Sequence, residues 1–374
     1  MTIPSYSELT NTQRNIANLP SNKNYVVTGA PGTGKTVIAL YMAKLFSEQG
    51  KKVLFLVHNR PLKLFIDSMD DEFDFEINTL HSWLLNKFYS LTGISAPSID
   101  RWNYDWGKVK SILENHEKLF DYIIFDEAQD FSYDIINALK ESSTYTACYI
   151  DPHQKVNSDG IKEDDLLDLL EVRSPYRLLD NFRNTKEIFD FAKIYGKDKD
   201  VSSSKIEGHK PYFISVPDYD EQNKCVANII KTNSNAKKIA VIANTKSLGI
   251  TFSSLSEVDT GRDIFLYKSK SREYRDLDFS KDGVYVMSFN CVKGLEFDIV
   301  IITRCEKIRQ TPECNDNNLF YIAATRAKKA LYCIYFSAEE GTENYLDVFG
   351  PLKRDDEKRK LIDGSLDWNM EKID

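Results

Sequence analysis

The sequence predicts an α/β chain of two tandem units, each a mostly parallel sheet with helices on both faces. Three observations carry that expectation. Short apolar runs alternate with amphipathic helical stretches, the pattern of strand–helix–strand units in a parallel sheet. A glycine-rich loop links the first apolar run to the first helical stretch. A second series of apolar runs repeats the alternation further on, and 374 residues are enough for two domains.

In chain order, the first strands are expected at Tyr25–Thr28, Val53–Val57, Glu76–Thr79, Tyr122–Phe125 and Thr146–Ile150. Between the first two lies Thr36–Gln49, where Ile38, Met42, Leu45 and Phe46 recur at helical spacing before Gly50. A charged helix is expected at Glu163–Val172, with a domain boundary at Ser174-Pro175. The second series is Tyr176–Leu179, Tyr212–Val216, Ile239–Ala243, Ile264–Tyr267, Val284–Ser288, Ile299–Thr303 and Leu331–Phe336. The domains are therefore expected at 1–174 and 175–340. A charge-rich tail, 341–374, is expected as a peripheral helix or a mobile end.

Composition narrows the function classes. Hydrophobic residues are 42% and charged residues 28%, ordinary for a soluble globular chain. No run approaches the roughly 18 apolar residues of a membrane span, and Met1–Glu8 has no basic stretch followed by an apolar core. The six cysteines include no C-x-x-C pair, which argues against structural zinc and for a reduced, cytoplasmic protein. A net charge of −8 disfavours a duplex-DNA binder driven by bulk charge but leaves room for a local basic groove.

Gly29-Ala30-Pro31-Gly32-Thr33-Gly34-Lys35-Thr36 fits the phosphate-loop pattern G-x-x-x-x-G-K-[ST] in its proper context, after a strand and opening a helix. Glycines let backbone N–H groups cradle phosphates; Lys35 would reach the β- and γ-phosphates, and the Thr36 hydroxyl would ligate Mg²⁺. Further on, the apolar run Tyr122–Phe125 ends in Asp126-Glu127-Ala128-Gln129-Asp130. Adjacent carboxylates at the end of a buried strand are costly unless they face a metal or water. Asp126 would hold Mg²⁺ through water and Glu127 would polarise the attacking water. A solvated acidic turn does not explain the apolar strand leading into it.

This acidic string resembles motif II of superfamily 1 helicases of the UvrD/Rep type, and their other motifs follow in order over residues ~9 to ~336. Leu9–Gln13 resembles the Q motif, Phe55–Arg60 motif Ia, Thr79–Trp83 motif Ib and Tyr149–Gln154 motif III. Leu179–Thr185 resembles motif IV, Ser288–Asp298 motif V and Tyr321–Ala327 motif VI. The resemblance implies two tandem RecA-like (P-loop NTPase) domains. It assigns the adenine edge to Gln13, adenine stacking to Phe182, γ-phosphate sensing to Gln154 and a nucleotide contact to Glu296. Arg183 and Arg326 would reach across a cleft between domains to stabilise charge on the transferred phosphoryl group. Asn59, Arg60, Thr79, His81 and Ser82 would hold the backbone of a single strand. Without the motif order, His81 beside Trp83 reads better as a structural histidine, and a lone arginine as a surface ion pair.

The pattern also departs from the family. No aromatic follows Gln154 closely, so base stacking there is in doubt. Val37 stands where an arginine commonly packs on adenine. The large insertions that relatives carry between motifs Ib and II, and before motif V, are absent. Lys268, Lys270, Arg272 and Arg275 form a small basic linker, as readily a solvated loop as a nucleic-acid contact. The leading expectation is an ATP- and Mg²⁺-dependent translocase or helicase on single-stranded nucleic acid, DNA rather than RNA. The alternative is an ATP-gated regulatory or sensor subunit working through a protein partner such as a nuclease. A small-molecule kinase fits the phosphate loop but not the acidic motif or the paired arginines. No membrane partner is expected.

Overall fold

The computed structural model describes residues 3–69, 73–100, 103–154, 159–196, 201–202, 204–268, 277–305, 316–336 and 365–367. Lys270, Arg272 and Arg275 of the basic linker, residues 155–158 after Gln154, Cys314 and most of the tail from 341 lie outside the described residues. The chain divides into two compact units, Met1–Leu179 and Asp180–Asp374.

The first unit is built on strands β1 (Tyr25–Gly29), β2 (Val53–Val57), β3 (Glu76–Thr79), β4 (Phe120–Phe125), β5 (Ser143–Ile150) and β6 (Tyr176–Leu178). Their order is β3-β2-β4-β5-β1-β6, and every pairing is parallel. The helices are α1 (Asn11–Ala17), α2 (Lys35–Glu48), α3 (Arg60–Asp67), α4 (Leu80–Asn86), α5 (Phe88–Thr92), α6 (Trp106–Glu114), α7 (Tyr133–Leu139) and α8 (Glu163–Leu169). Successive strand residues point to opposite faces. Ile123 and Phe125 of β4 therefore join Trp83, Phe88, Val109, Leu113, Ile136 and Leu139, from α4 to α7, in one core. Tyr122, one residue before Ile123 and so on the opposite face, stacks on Phe46 of α2 at 4.3 Å between ring centroids.

The expected boundary at Ser174-Pro175 is corrected. Tyr176–Leu178 is not the start of the second sheet but the outer strand of the first, with Val27 paired to Tyr176 and Gly29 to Leu178. Tyr176 packs edge-on to Tyr25, and Arg177 pairs with Glu163 of the charged helix at 3.0 Å. Pro175 marks the entry to an edge strand, a position where its missing N–H is tolerated.

The second unit holds β7 (Tyr212–Val216), β8 (Lys238–Ala243), β9 (Ile264–Leu266), β10 (Gly283–Ser288), β11 (Phe297–Ile302), β12 (Ala327–Phe336) and β13 (Ser365–Asp367). Their order is β13-β7-β12-β11-β8-β10-β9, again all parallel. Helices α9 (Lys186–Ala192), α10 (Tyr219–Thr232), α11 (Leu248–Ser256) and α12 (Asp316–Ala324) accompany them. One core joins Val226, Ile229 and Ile230 of α10 to Val241, Val286 and Ile301 of the sheet. The other face seats Phe191 of α9 against Phe213 and Phe320. Of the tail, only Ser365–Asp367 is described: it forms β13, the second partner of β7 beside β12, with Leu366 opposite Ile214; the rest of the expected peripheral helix or mobile end lies outside the described residues. Both units are therefore RecA-like α/β domains with helices on both faces of a parallel sheet. No helix among the described residues is long and apolar enough to cross a membrane.

Candidate functional site

In an open parallel sheet, ligands bind at the C-terminal ends of the strands, where chain leaves the sheet into loops and helix N-termini. In the first unit, that edge collects Gly29–Thr36 after β1, Asn59 and Arg60 after β2, Thr79–Ser82 at and after β3, Asp126–Asp130 after β4, and Asp151–Gln154 after β5.

The phosphate loop is tightly set. Gly34 has φ +87°, and a Cβ there would stand 2.6 Å from Gln13 Nε2. A Cβ on Gly29 would stand 2.6 Å from Thr33 Oγ1 and 3.0 Å from Leu178. Only glycine permits both approaches. Thr33 donates its hydroxyl to Ala30 O at 2.8 Å, while Pro31 and Gly32 complete the turn. Gln13 is buried; its Oε1 accepts from Thr10 N at 3.0 Å and its Nε2 points to Thr33 O at 3.4 Å, so the expected adenine reader is built onto the loop itself. Lys35 donates to Gly29 O and Ala30 O at 2.6 and 3.0 Å, and its ammonium lies 3.4 Å from Asp151 Oδ2.

The two groups expected to hold a metal meet: Thr36 Oγ1 donates to Asp126 Oδ2 at 2.8 Å. Asp126 is fully buried, and its other oxygen, Oδ1, has no hydrogen-bond partner. Burial, then the neighbouring Glu127, pushes its carboxyl above the usual carboxylate range, against the opposing pull of Thr36 and Lys35. The Thr36 hydroxyl and the two carboxylate oxygens of Asp126, one of them orphaned, make a hard oxygen set that suits Mg²⁺. Glu127 sits at φ +54°, a left-handed conformation that a non-glycine residue adopts at a cost. Its Oε2 accepts from Gln129 Nε2 at 2.6 Å, and Gln129 Oε1 accepts from Asp151 N at 2.9 Å. Gln154 is buried three residues beyond Asp151, its N–H directed to Asp151 O at 3.2 Å.

The strand-binding candidates share the edge but do structural work there. Asn59 Oδ1 caps α3 by accepting from Leu62 N at 2.8 Å, and Thr79 Oγ1 caps α4, accepting from Ser82 N at 3.4 Å. His81 Nδ1 lies 2.8 Å from the Tyr104 hydroxyl, and Ser82 Oγ accepts from Asn86 at 3.2 Å. Arg60 is exposed at the first turn of α3.

In the second unit, Arg183 places Nε and Nη2 at 2.9 and 2.8 Å from Glu296 Oε1. Lys328 approaches Glu296 Oε2 at 3.0 Å. Burial alone would raise the Glu296 pKa, but Arg183 and Lys328 overcome it and hold it at about 2. Asn184 donates to the carbonyls of Thr325, at 3.0 Å, and Ala327, at 2.5 Å. Arg326 is buried, donating Nε to Ile322 O at 2.9 Å. Motifs IV, V and VI thus converge within this unit. Phe182 stands beside them, 47% exposed, as an open ring face.

Residues 22–260 match the family model described as Schlafen group 3, DNA/RNA helicase domain. The chain belongs to this Schlafen group 3 helicase-domain family. Residues 263–338 match the UvrD-like helicase C-terminal domain, consistent with a superfamily 1 helicase of UvrD/Rep type. Two solved helicase structures are similar to it. The C-terminal domain of a possible DNA helicase from Lactobacillus plantarum WCFS1 is 21% identical, with a TM-score of 0.32, over 41% of this chain and 87% of that one. The arterivirus nonstructural protein 10 helicase is 14% identical, with a TM-score of 0.43, over 91% of this chain. The chain spans 64% of that viral helicase. No curated protein matches it.

Reading the helicase's sequence gave no role to Gln129, Asp151, Asn184 or Lys328. Gln129, Asp151 and Asn184 lie inside the motifs that were recognised. Their side chains bind other motifs rather than the ends of their own strands, which spacing along the chain does not reveal. Lys328 lies just past the recognised motif, as the second residue of β12.

Proposed function

We propose that the chain is an ATP hydrolase that couples turnover to movement along single-stranded nucleic acid, DNA in preference to RNA. The observation that carries this reading is the Thr36–Asp126 pair, with Asp126 Oδ1 buried and orphaned beside a tightly set phosphate loop. Thr36 and Asp126 would hold Mg²⁺, which supplies charge neutralisation at the β- and γ-phosphates when bound. Lys35 exchanges its carbonyl contacts for phosphate oxygens. Glu127, oriented by Gln129, takes the proton of the attacking water, and Gln154 reads the γ-phosphate. Gln13 and Phe182 recognise adenine by edge and face. Arg183 and Arg326 stabilise the charge that develops on the phosphoryl group, with Glu296 orienting Arg183. Arg60, His81 and Ser82 contact the strand, at the helix starts that Asn59 and Thr79 cap.

A second reading, an ATP-gated subunit acting through a protein partner such as a nuclease, draws on one observation. The oxygens of Asn59 and Thr79 are engaged in helix caps. Steady-state ATPase of the purified chain with Mg²⁺, with and without oligo-dT or oligo-rU, separates the two. Stimulation by the deoxy strand supports the motor. Turnover indifferent to both strands at low salt favours the gated subunit, and no turnover in Mg²⁺ refutes the ATPase.

A further inference from the structure

Among the charged side chains at the ATP-binding edge, Asp130 has no place in the chemistry set out above. Its carboxylate is wholly buried, and an ionised carboxylate is costly to bury without an opposite charge. One of its neighbours is His58: Nδ1 lies 3.7 Å from Asp130 Oδ2, and the imidazole is 29% exposed. That distance is beyond a hydrogen bond, whose range is about 2.7–3.2 Å. The contact is an imidazole–carboxylate approach, a charge pair when the ring is protonated, that a small shift can tighten or release. The His58 ring also meets Phe131 edge-on, centroids 5.8 Å apart, and Phe131 packs edge-on against Phe125, the last residue of β4.

The positions of the two residues in the chain give the contact its meaning. His58 follows β2 and precedes Asn59 and Arg60, where α3 begins. Asp130 closes the 3₁₀ turn that starts after Glu127, and its N–H bonds to Glu127 O at 3.0 Å. Strands β2 and β4 are neighbours, so the two loops leave the same sheet edge side by side. A shift of the α3 N-terminus therefore reaches the turn that holds Glu127 in its left-handed conformation by way of His58 and Asp130.

We propose that the His58–Asp130 pair is the element through which a single strand bound at the start of α3 adjusts the position of Glu127, and so sets the ATPase rate. The proposal rests on the motor reading given above and names its regulation. Both residues are positioning residues.

The test is steady-state ATPase of the full chain titrated with oligo-dT, together with binding of a fluorescein-labelled oligo-dT read by anisotropy. Wild type is compared with His58→Ala, His58→Phe, Asp130→Asn and the His58→Ala/Asp130→Asn double variant. The phenylalanine keeps the ring against Phe131 while removing the charge pair, which separates coupling from packing. In both His58 variants, the rate without DNA stays within about twofold of wild type and oligo-dT still binds. The stimulation by oligo-dT falls by roughly fivefold or more, the lower end of ordinary coupling between sites. The double variant loses no more stimulation than Asp130→Asn alone, because residues acting through one contact are not additive. Wild-type stimulation in both His58 variants, or additive losses in the double variant, overturns the inference and leaves the motor standing. A wild-type chain that neither binds oligo-dT nor responds to it removes the motor reading, and the inference with it.

Discussion

Two carboxylates, the fully buried Asp126 of the first unit and the partly buried Glu296 of the second, sit in opposite electrostatic states. Asp126 has one oxygen on the Thr36 hydroxyl and the other on nothing, and its pKa is raised. Glu296 is gripped by Arg183 and Lys328, and its pKa is lowered to about 2. Burial acts on both in the same direction; the difference lies in whether the protein supplies a cation. The first unit leaves its carboxylate short of positive charge, the arrangement expected where a metal must arrive. The second sets two cations around its one carboxylate and keeps a net positive charge, the arrangement expected where a guanidinium must be aimed before any ligand is present.

The largest effect that would break this contrast concerns the residue beside Asp126. Glu127→Gln is expected to cut kcat for ATP by about 10²–10⁴-fold, the range for losing a general base, with ATP affinity retained in an equilibrium binding assay. A wild-type rate in that variant removes Glu127 from the chemistry. Next come the cations of the second unit. Arg183→Ala or Arg326→Ala is expected to lower kcat by roughly 10²-fold, as when a stabiliser of developing charge is lost, while nucleotide affinity moves less. A large rise in KM at constant kcat would instead make them ground-state ligands.

The two remaining predictions concern stability. Without divalent metal, Asp126→Asn removes a buried carboxylate short of partners and is expected to raise Tm, by about 2–4 °C for each kcal/mol relieved. Mg²⁺ should raise the Tm of wild type and leave that of the variant unchanged; scanning calorimetry with EDTA or Mg²⁺ measures both. The smallest effect is the pH dependence of the second unit. Because the folded pKa of Glu296 is depressed from 4.5 to about 2, its contribution is complete above pH 4.5 and is lost as pH falls towards 2. Glu296→Gln should flatten that part of the acid-unfolding profile and leave Arg183 less well oriented at neutral pH. An unchanged profile would show that Glu296 is not held by its cations.

What was readable in the sequence is what is local. The glycines of residues 29–34, the carboxylates at the end of β4 and the strand-length apolar runs announce themselves within a dozen residues. The Asn59 cap was also readable, since asparagine before an Arg-Pro helix start is a common first-turn signal; the motif resemblance drew attention away from it. What could not be read depends on pairing across distance. Gln129 reaches the end of a neighbouring strand, and Tyr176–Leu178 carries too little pattern in three residues to announce which sheet it joins. Ser365–Asp367 is a three-residue strand in a charged stretch, where composition argues for no strand at all.

Strand β1 pairs only with β5 and β6, the last two strands of its unit. The loop that follows it has Leu178 at its back, against Gly29. During synthesis, β1 leaves the ribosome first and waits without a partner while β2, β3 and β4 emerge, an unpaired apolar strand that chaperones would recognise. Pairing between the ends of a unit is slow, because the intervening chain must be closed before the contact can form. The phosphate loop that β1 carries thus takes its shape only when those distant pairings have closed. A nascent chain released before residue 178 would have the sequence of a phosphate loop without its shape.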